Sequence, residues 1–249
     1  MHKIKVRNVE IGEGVPKICV PILEKTEEKI EKFAQKAVEN CADLAEWRVD
    51  GFSEWKDQDK VKQILAKLRK ILGEIPLLFT FRTKEEGGES EITPAQYVLL
   101  NQIAITSGKI DLVDVEFFME EEVRTKLLET ADRYGVKTVF SSHDFKKTPS
   151  GQELLERLHA MEEEGADIAK IAVMPKKKED VIRLLNVTWE ARKMKIPVIT
   201  MSMGKLGSVS RVCGELFGSC ITFGTAGKES APGQIESAAL KQILQILSK

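Results

Sequence analysis

Eight times between residues 17 and 247 the chain passes from a short apolar run to a longer amphipathic stretch, and this alternation constrains its fold more than any other feature. The runs 17–23, 43–50, 76–83, 112–118, 137–144, 168–174, 197–203 and 220–224 have the length and branched apolar content of buried strands. A helical stretch follows each. The first is opened by Thr26 and the second covers 57–72; the third opens with Thr93 and Pro94, a cap residue followed by proline at the first helical position. The rest fall at 120–134, 151–164, 178–194, 206–217 and 232–247. In the first helix Ile30, Phe33, Ala34, Ala37, Val38 and Cys41 lie on one face of the helical period.

Strands that alternate with helices over short connections pair in parallel, and eight such units predict a closed (β/α)8 TIM barrel. The length of 249 residues fits that architecture. A doubly wound open sheet is the alternative, but no Gly-x-Gly-x-x-Gly follows the first strand. Residues 1–16 hold the alternating Lys3-Ile-Lys-Val segment and then Gly12 and Gly14, which predicts a short N-terminal β-hairpin closing the barrel floor. With no linker, repeat or low-complexity tract, residues 1–249 are expected to form one domain.

Composition narrows the function class. A net charge of -1 and a pI near 6.4 give no nucleic-acid footprint, so the expected partner is a small molecule. The N-terminus lacks the apolar core of a signal peptide and no apolar run reaches membrane-spanning length, which predicts a cytoplasmic protein with no membrane partner. Cys19, Cys41, Cys213 and Cys220 form no CxxC pair and have no histidines at ligand spacing. Reduced core cysteines are expected, with no metal and no cofactor.

Inward positions of barrel strands are normally filled by branched apolar residues, so polar interruptions near strand C-termini are informative. Glu46, Arg48 and Asp50 share one face of the second strand by the period of two; Asp114 and Glu116 share one of the fourth, and Ser141 and His143 one of the fifth. Arg82 ends the third. Lys170 lies inside the apolar run Asp167-Ile-Ala-Lys170-Ile-Ala-Val-Met-Pro175. An ammonium buried there without a partner tends to lose its proton and become a nucleophile toward carbonyls. A lysine that snorkels to solvent or pairs with a carboxylate is the alternative, as a structural salt-bridge network is for the arginines. His143 closes the strand beside that of Lys170 and has the side chain best matched to proton transfer near neutral pH, whereas His159 lies on a charged helix and reads as solvated. Arg211, in a helix after the seventh strand, can grip a carboxylate. The loop 224–234 after the eighth strand runs into a helix N-terminus whose amides favour anions.

Taken together, Glu46-Trp-Arg48-Val-Asp50, Thr80-Phe-Arg82-Thr with Glu86-Gly-Gly, Asp114-Val-Glu116, Ser-His143-Asp-Phe, Lys170-Ile-Ala-Val-Met-Pro, Met201-Ser-Met203-Gly, Ser210-Arg211 and Ser230-Ala-Pro-Gly-Gln234 form an ordered series. In order and spacing it resembles the type I 3-dehydroquinate dehydratases over nearly the whole chain. That resemblance implies a (β/α)8 barrel, usually a homodimer. It implies a hydro-lyase of the shikimate pathway that turns 3-dehydroquinate into 3-dehydroshikimate and water, with no metal or organic cofactor. Lys170 would form a Schiff base with the C3 ketone. His143 would take the C2 proton and protonate the departing C1 hydroxyl, with Glu86 orienting it. Arg211, Ser230 and Gln234 would hold the substrate carboxylate; Glu46, Arg48 and Arg82 would meet the ring oxygens; Met203 and Phe145 would form apolar walls. The chain departs from the family where Ser142 stands in place of a common Asn and where Thr138-Val139 opens the strand. A class I aldolase, or a silent barrel used as a scaffold, are the rival expectations; the latter would be expected to lose one of Lys170, His143 or Arg211.

Overall fold

The computed structural model describes residues 3–12, 14–40, 42–227 and 230–248. Its chain opens with a hairpin, β1 (Ile4–Val6) against β2 (Val9–Ile11), whose buried Val6 and Ile11 face the apolar floor of the barrel. Then β3 (Lys17–Ile22) leads to α1 (Glu27–Glu39), β4 (Leu44–Arg48) to α2 (Gln58–Leu72), and β5 (Leu77–Thr80) to α3 (Pro94–Thr106). The pattern goes on through β6 (Leu112–Glu116), α4 (Glu121–Tyr134), β7 (Lys137–Asp144), α5 (Gly151–Glu163), β8 (Ile168–Val173) and α6 (Lys178–Ala191). It ends with β9 (Val198–Ser202), α7 (Gly214–Phe217), β10 (Ile221–Thr225), β11 (Ile235–Glu236) and α8 (Ser237–Leu247).

Eight parallel strands from β3 to β10 run in sequence order around the barrel, with β10 paired to β3. The remaining seam, between β9 and the segment leading into β10, is joined by a parallel bridge of Val198 to Ser219. Strand alternation sorts the side chains into two cores. Trp47, Phe79, Val113, Phe140, Ile171 and Val198 pack outward against the helices. Cys19, Leu44, Leu78, Leu112, Val139, Ile168, Ile199 and Ile221, one from each strand, form the apolar layer inside. Two residues further along, toward the C-terminal mouth, the inward positions of β4 to β8 turn polar, as Glu46, Thr80, Asp114, Ser141 and Lys170, while β9 and β10 keep Met201 and Phe223 there. That step from an apolar floor to a charged upper barrel is what creates a site.

Several element boundaries differ from expectation. The second strand stops at Arg48, and a 3-10 turn at Val49–Gly51 carries Asp50, which therefore does not share the strand face. The third stops at Thr80, so Arg82 sits just beyond it. The stretch 206–217 is not one helix but a 3-10 segment, Lys205–Arg211, followed by the single turn of α7. Glycine explains the break: a Cβ at Gly207 would sit 2.3 Å from the Ser202 carbonyl oxygen, so the segment lies pressed on the end of β9. Residues 232–236 are not helical either, because β11 pairs in parallel with β10 before α8 begins. Cys19 and Cys220 are buried, Cys213 is half-buried, and Cys41 lies outside the described residues. No described helix is long and apolar enough to cross a membrane.

Candidate active site

The polar upper barrel opens into a cleft of about 450 Å³. Ten of the eleven residues expected at the site line it: Glu46, Arg48, Arg82, Glu86, His143, Phe145, Lys170, Met203, Ser230 and Gln234. Phe223, Met201, Ala172, Gly87 and Ala231 complete the wall. Of these, Phe223 was legible from the period of two, as the inward residue of its strand one layer above Ile221. The eleventh residue, Arg211, is buried behind the wall, where its guanidinium donates to the carbonyls of Phe223 (3.4 Å) and Pro232 (3.1 Å).

Lys170 is 4% exposed, as a strand interior requires, yet it is not without partners. Its Nζ lies 3.8 Å from Glu46 Oε1, 3.8 Å from Asp114 Oδ2, and 4.4 Å from the centre of the Phe223 ring. The strand register places Ser141 of β7 opposite Lys170 and His143 opposite Ala172, so the amine and the imidazole belong to successive inward layers of adjacent strands. Asp114 and Glu116 are held from outside the barrel by Tyr97 of α3. Its hydroxyl donates to the Asp114 carbonyl (3.3 Å) and accepts the Glu116 amide (3.1 Å) where β5 and β6 pair over only a short length.

Arg82 ties these carboxylates together. Its guanidinium reaches Asp114 Oδ1, Glu116 Oε1 and Ser141 Oγ at 2.8, 2.8 and 2.9 Å, and Glu86 Oε2 at 3.4 Å. Arg48 in turn grips Asp50 with two 2.8 Å bonds, and Asp50 accepts the backbone amides of Arg82 and Glu89. The two arginines are thus fixed in place before any ligand arrives.

Glu86 sits on a 3-10 turn and meets His143 twice, accepting its backbone amide (3.1 Å) and lying 2.9 Å from Nδ1. Burial pushes the Glu86 carboxyl up to about 8, against the pull of Arg82 and with help from Glu116 and Asp114. Burial, then the charges of Arg82, Lys170 and Arg48, hold His143 well below its ordinary value. The imidazole is therefore neutral at neutral pH, and the carboxyl is drawn toward its protonated form. Because Oε2 already accepts an amide and faces Arg82, it serves as an acceptor, and the tautomer that satisfies it has Nδ1–H donating to Oε2. That tautomer leaves the Nε2 lone pair free. On the opposite rim Ser230 and Gln234 hold each other: Oε1 of Gln234 accepts the Ser230 amide (2.8 Å) and Nε2 donates to its Oγ (3.0 Å). They stand on a loop tied to β9 by the Gly204 amide and the Pro232 carbonyl, and they do not open a helix N-terminus as expected. His159 is exposed on its helix. Among the described residues no cluster of His, Cys, Asp and Glu is arranged to hold a metal ion.

The model of the type I 3-dehydroquinase family matches residues 18–249. The 3-dehydroquinate dehydratase of Listeria innocua is 49% identical, across 100% of this chain and 99% of that protein, and its counterpart from Clostridioides difficile is 47% identical. The crystal structure of type I 3-dehydroquinate dehydratase from Clostridium difficile, with covalently modified comenic acid, superposes with a TM-score of 0.97 at 47% identity over 100% of this chain and 99% of that one. A structure of 3-hexulose-6-phosphate synthase from Salmonella typhimurium, at 18% identity and a TM-score of 0.60, shares the fold alone. The chain belongs to the type I 3-dehydroquinase family.

Proposed function

We propose that this protein is a hydro-lyase that removes water from 3-dehydroquinate to give 3-dehydroshikimate, the third step of the shikimate pathway, through an imine on Lys170. A β-hydroxy ketone sheds water once a proton leaves the carbon between its two oxygen functions, and a protonated imine supplies the electron sink for that step. Lys170 adds to the C3 ketone, water departs, and a carbon–nitrogen double bond forms. His143 Nε2 then takes the C2 proton and returns it to the C1 hydroxyl, which leaves as water from the same face. Hydrolysis of the imine frees the enone. The opening of Lys170 and His143 into one cleft, with Glu86 on Nδ1 so that Nε2 is the base, is the observation that carries this conclusion.

In this reading the substrate carboxylate lies on the Ser230 and Gln234 side, with Arg211 as the positive charge behind it. Glu46, Arg48 and Arg82 meet the ring oxygens, and Met203 and Phe145 close the apolar sides. We also place the chain as one domain of a cytoplasmic homodimer, which light scattering tests directly. The activity is tested by the absorbance of the conjugated enone on mixing with 3-dehydroquinate. His143→Ala is expected to retain imine formation and lose turnover by roughly 100-fold or more. Full turnover in that variant would remove His143 from the reaction.

A further inference from the structure

Asp114 is 0% exposed, and one of its two carboxylate oxygens has no hydrogen-bond donor among the described residues. Oδ1 is pinned by Arg82 Nη2 and by Ser141 Oγ, each at 2.8 Å, so the carboxylate cannot turn. Oδ2 is left aimed at Lys170 Nζ, 3.8 Å away and just beyond hydrogen-bond reach. A buried acceptor without a donor is costly unless a state of the protein supplies one. The other carboxylate near that nitrogen, Glu46, differs: its Oε1 already accepts from Thr80 Oγ1 at 3.0 Å. Resting on the imine proposed above, the chemistry needs such an acceptor. In balance, an ammonium and a ketone become a protonated imine and water: a carbon–nitrogen bond forms, the carbon–oxygen bond breaks, and the positive charge stays on nitrogen. Three N–H donors are reduced to one. We propose that Asp114 is the counter-ion of the imine, its Oδ2 accepting the single N–H and holding the proton that makes the imine an electron sink.

Glu46 of β4 and the Phe223 ring of β10 approach the same nitrogen, whose charge also acts on Cys19 of β3 and His143 of β7; Arg82 lies beyond Asp114, and Arg48 and Glu86 line the same cleft. The test compares wild type with Asp114→Asn and Glu46→Gln by thermal melting, borohydride trapping with 3-dehydroquinate, and the pH dependence of kcat. Wild type trapped on Lys170 upholds the imine; no adduct in wild type ends both readings together. With the adduct present, Asp114→Asn is expected to lower kcat roughly 100-fold, with KM changed far less. The alkaline limb of kcat should move to lower pH, because a neutral amide no longer holds the imine proton. Wild-type kcat and an unmoved limb would overturn the role, as would an equal or larger limb shift in Glu46→Gln. Should Asp114→Asn fail to fold, Ser141→Ala removes one of the two donors on Oδ1 and lets the carboxylate turn. It is expected to lower kcat several-fold at unchanged KM, and an unchanged kcat there would overturn the role.

Discussion

At the scale of single residues, the site is a set of charges made tolerable by one another. Lys170 was legible as a lysine inside an apolar run, and the period of two put Glu46, Asp114 and His143 on inward faces. The pairings were not legible, since they depend on which strands the closed barrel brings opposite one another. Lys170 has two carboxylates at 3.8 Å, which is the pairing that stood as the alternative to an unpartnered ammonium. Glu86 shows the electrostatic consequence most clearly. Folding raises its carboxyl from 4.5 to about 8, so the folded chain holds a proton that the unfolded chain releases across that interval. Its contribution to stability is whole below the unfolded value and is lost as pH rises through the folded one. His143, held low, acts in the opposite sense: its contribution is present above pH 6.5 and is lost as pH falls through its depressed value. Wild type should therefore lose thermal stability between pH 6 and 9, and Glu86→Gln, which has no carboxyl to ionise, should lose less. Melting temperatures at the two pH values check this; an equal loss in both proteins would contradict it.

At the scale of elements, local chemistry decided most boundaries. Thr93 and Gln96 form a capping box at the start of α3, as Thr93-Pro94 suggested. The misreadings cluster where glycines let backbone pack on backbone, which apolar periodicity does not register. The turn carrying Glu86 is such a place. A Cβ at Gly88 would lie 1.9 Å from the Arg82 carbonyl oxygen, while the Gly88 amide donates to Thr83 at 2.8 Å. At Gly87, φ is +84°, and a Cβ there would overlap the Phe145 ring. Gly88→Ala should cost about 2 kcal/mol of stability and lower kcat/KM as well, because the same turn holds Glu86 against His143. Denaturant unfolding and turnover measure the two effects, and a wild-type unfolding midpoint would count against the close approach.

At the scale of the molecule, the closed barrel was legible from the alternation, but the nature of its seam was not. Above the Val198–Ser219 bridge, β9 and β10 part and the 3-10 segment Lys205–Arg211 fills the gap. The Thr200 and Ser202 amides on that edge donate to side-chain hydroxyls, Ser219 Oγ (3.0 Å) and Ser210 Oγ (2.9 Å). Arg211 then spans from this wedge to the Phe223 carbonyl on β10, which is why it backs the cleft wall. Hydrogen exchange should find Thr200 and Ser202 less protected than Ile171 and Ala172 in the continuous β7–β8 ladder; equal protection would mean that the seam is no weaker than the rest. Borohydride reduction in the presence of 3-dehydroquinate, followed by peptide mass analysis, tests the proposed imine on Lys170 most directly. The account predicts a reduced adduct on Lys170 alone, with enone absorbance appearing before reduction; enone formation with no adduct on Lys170 would contradict it.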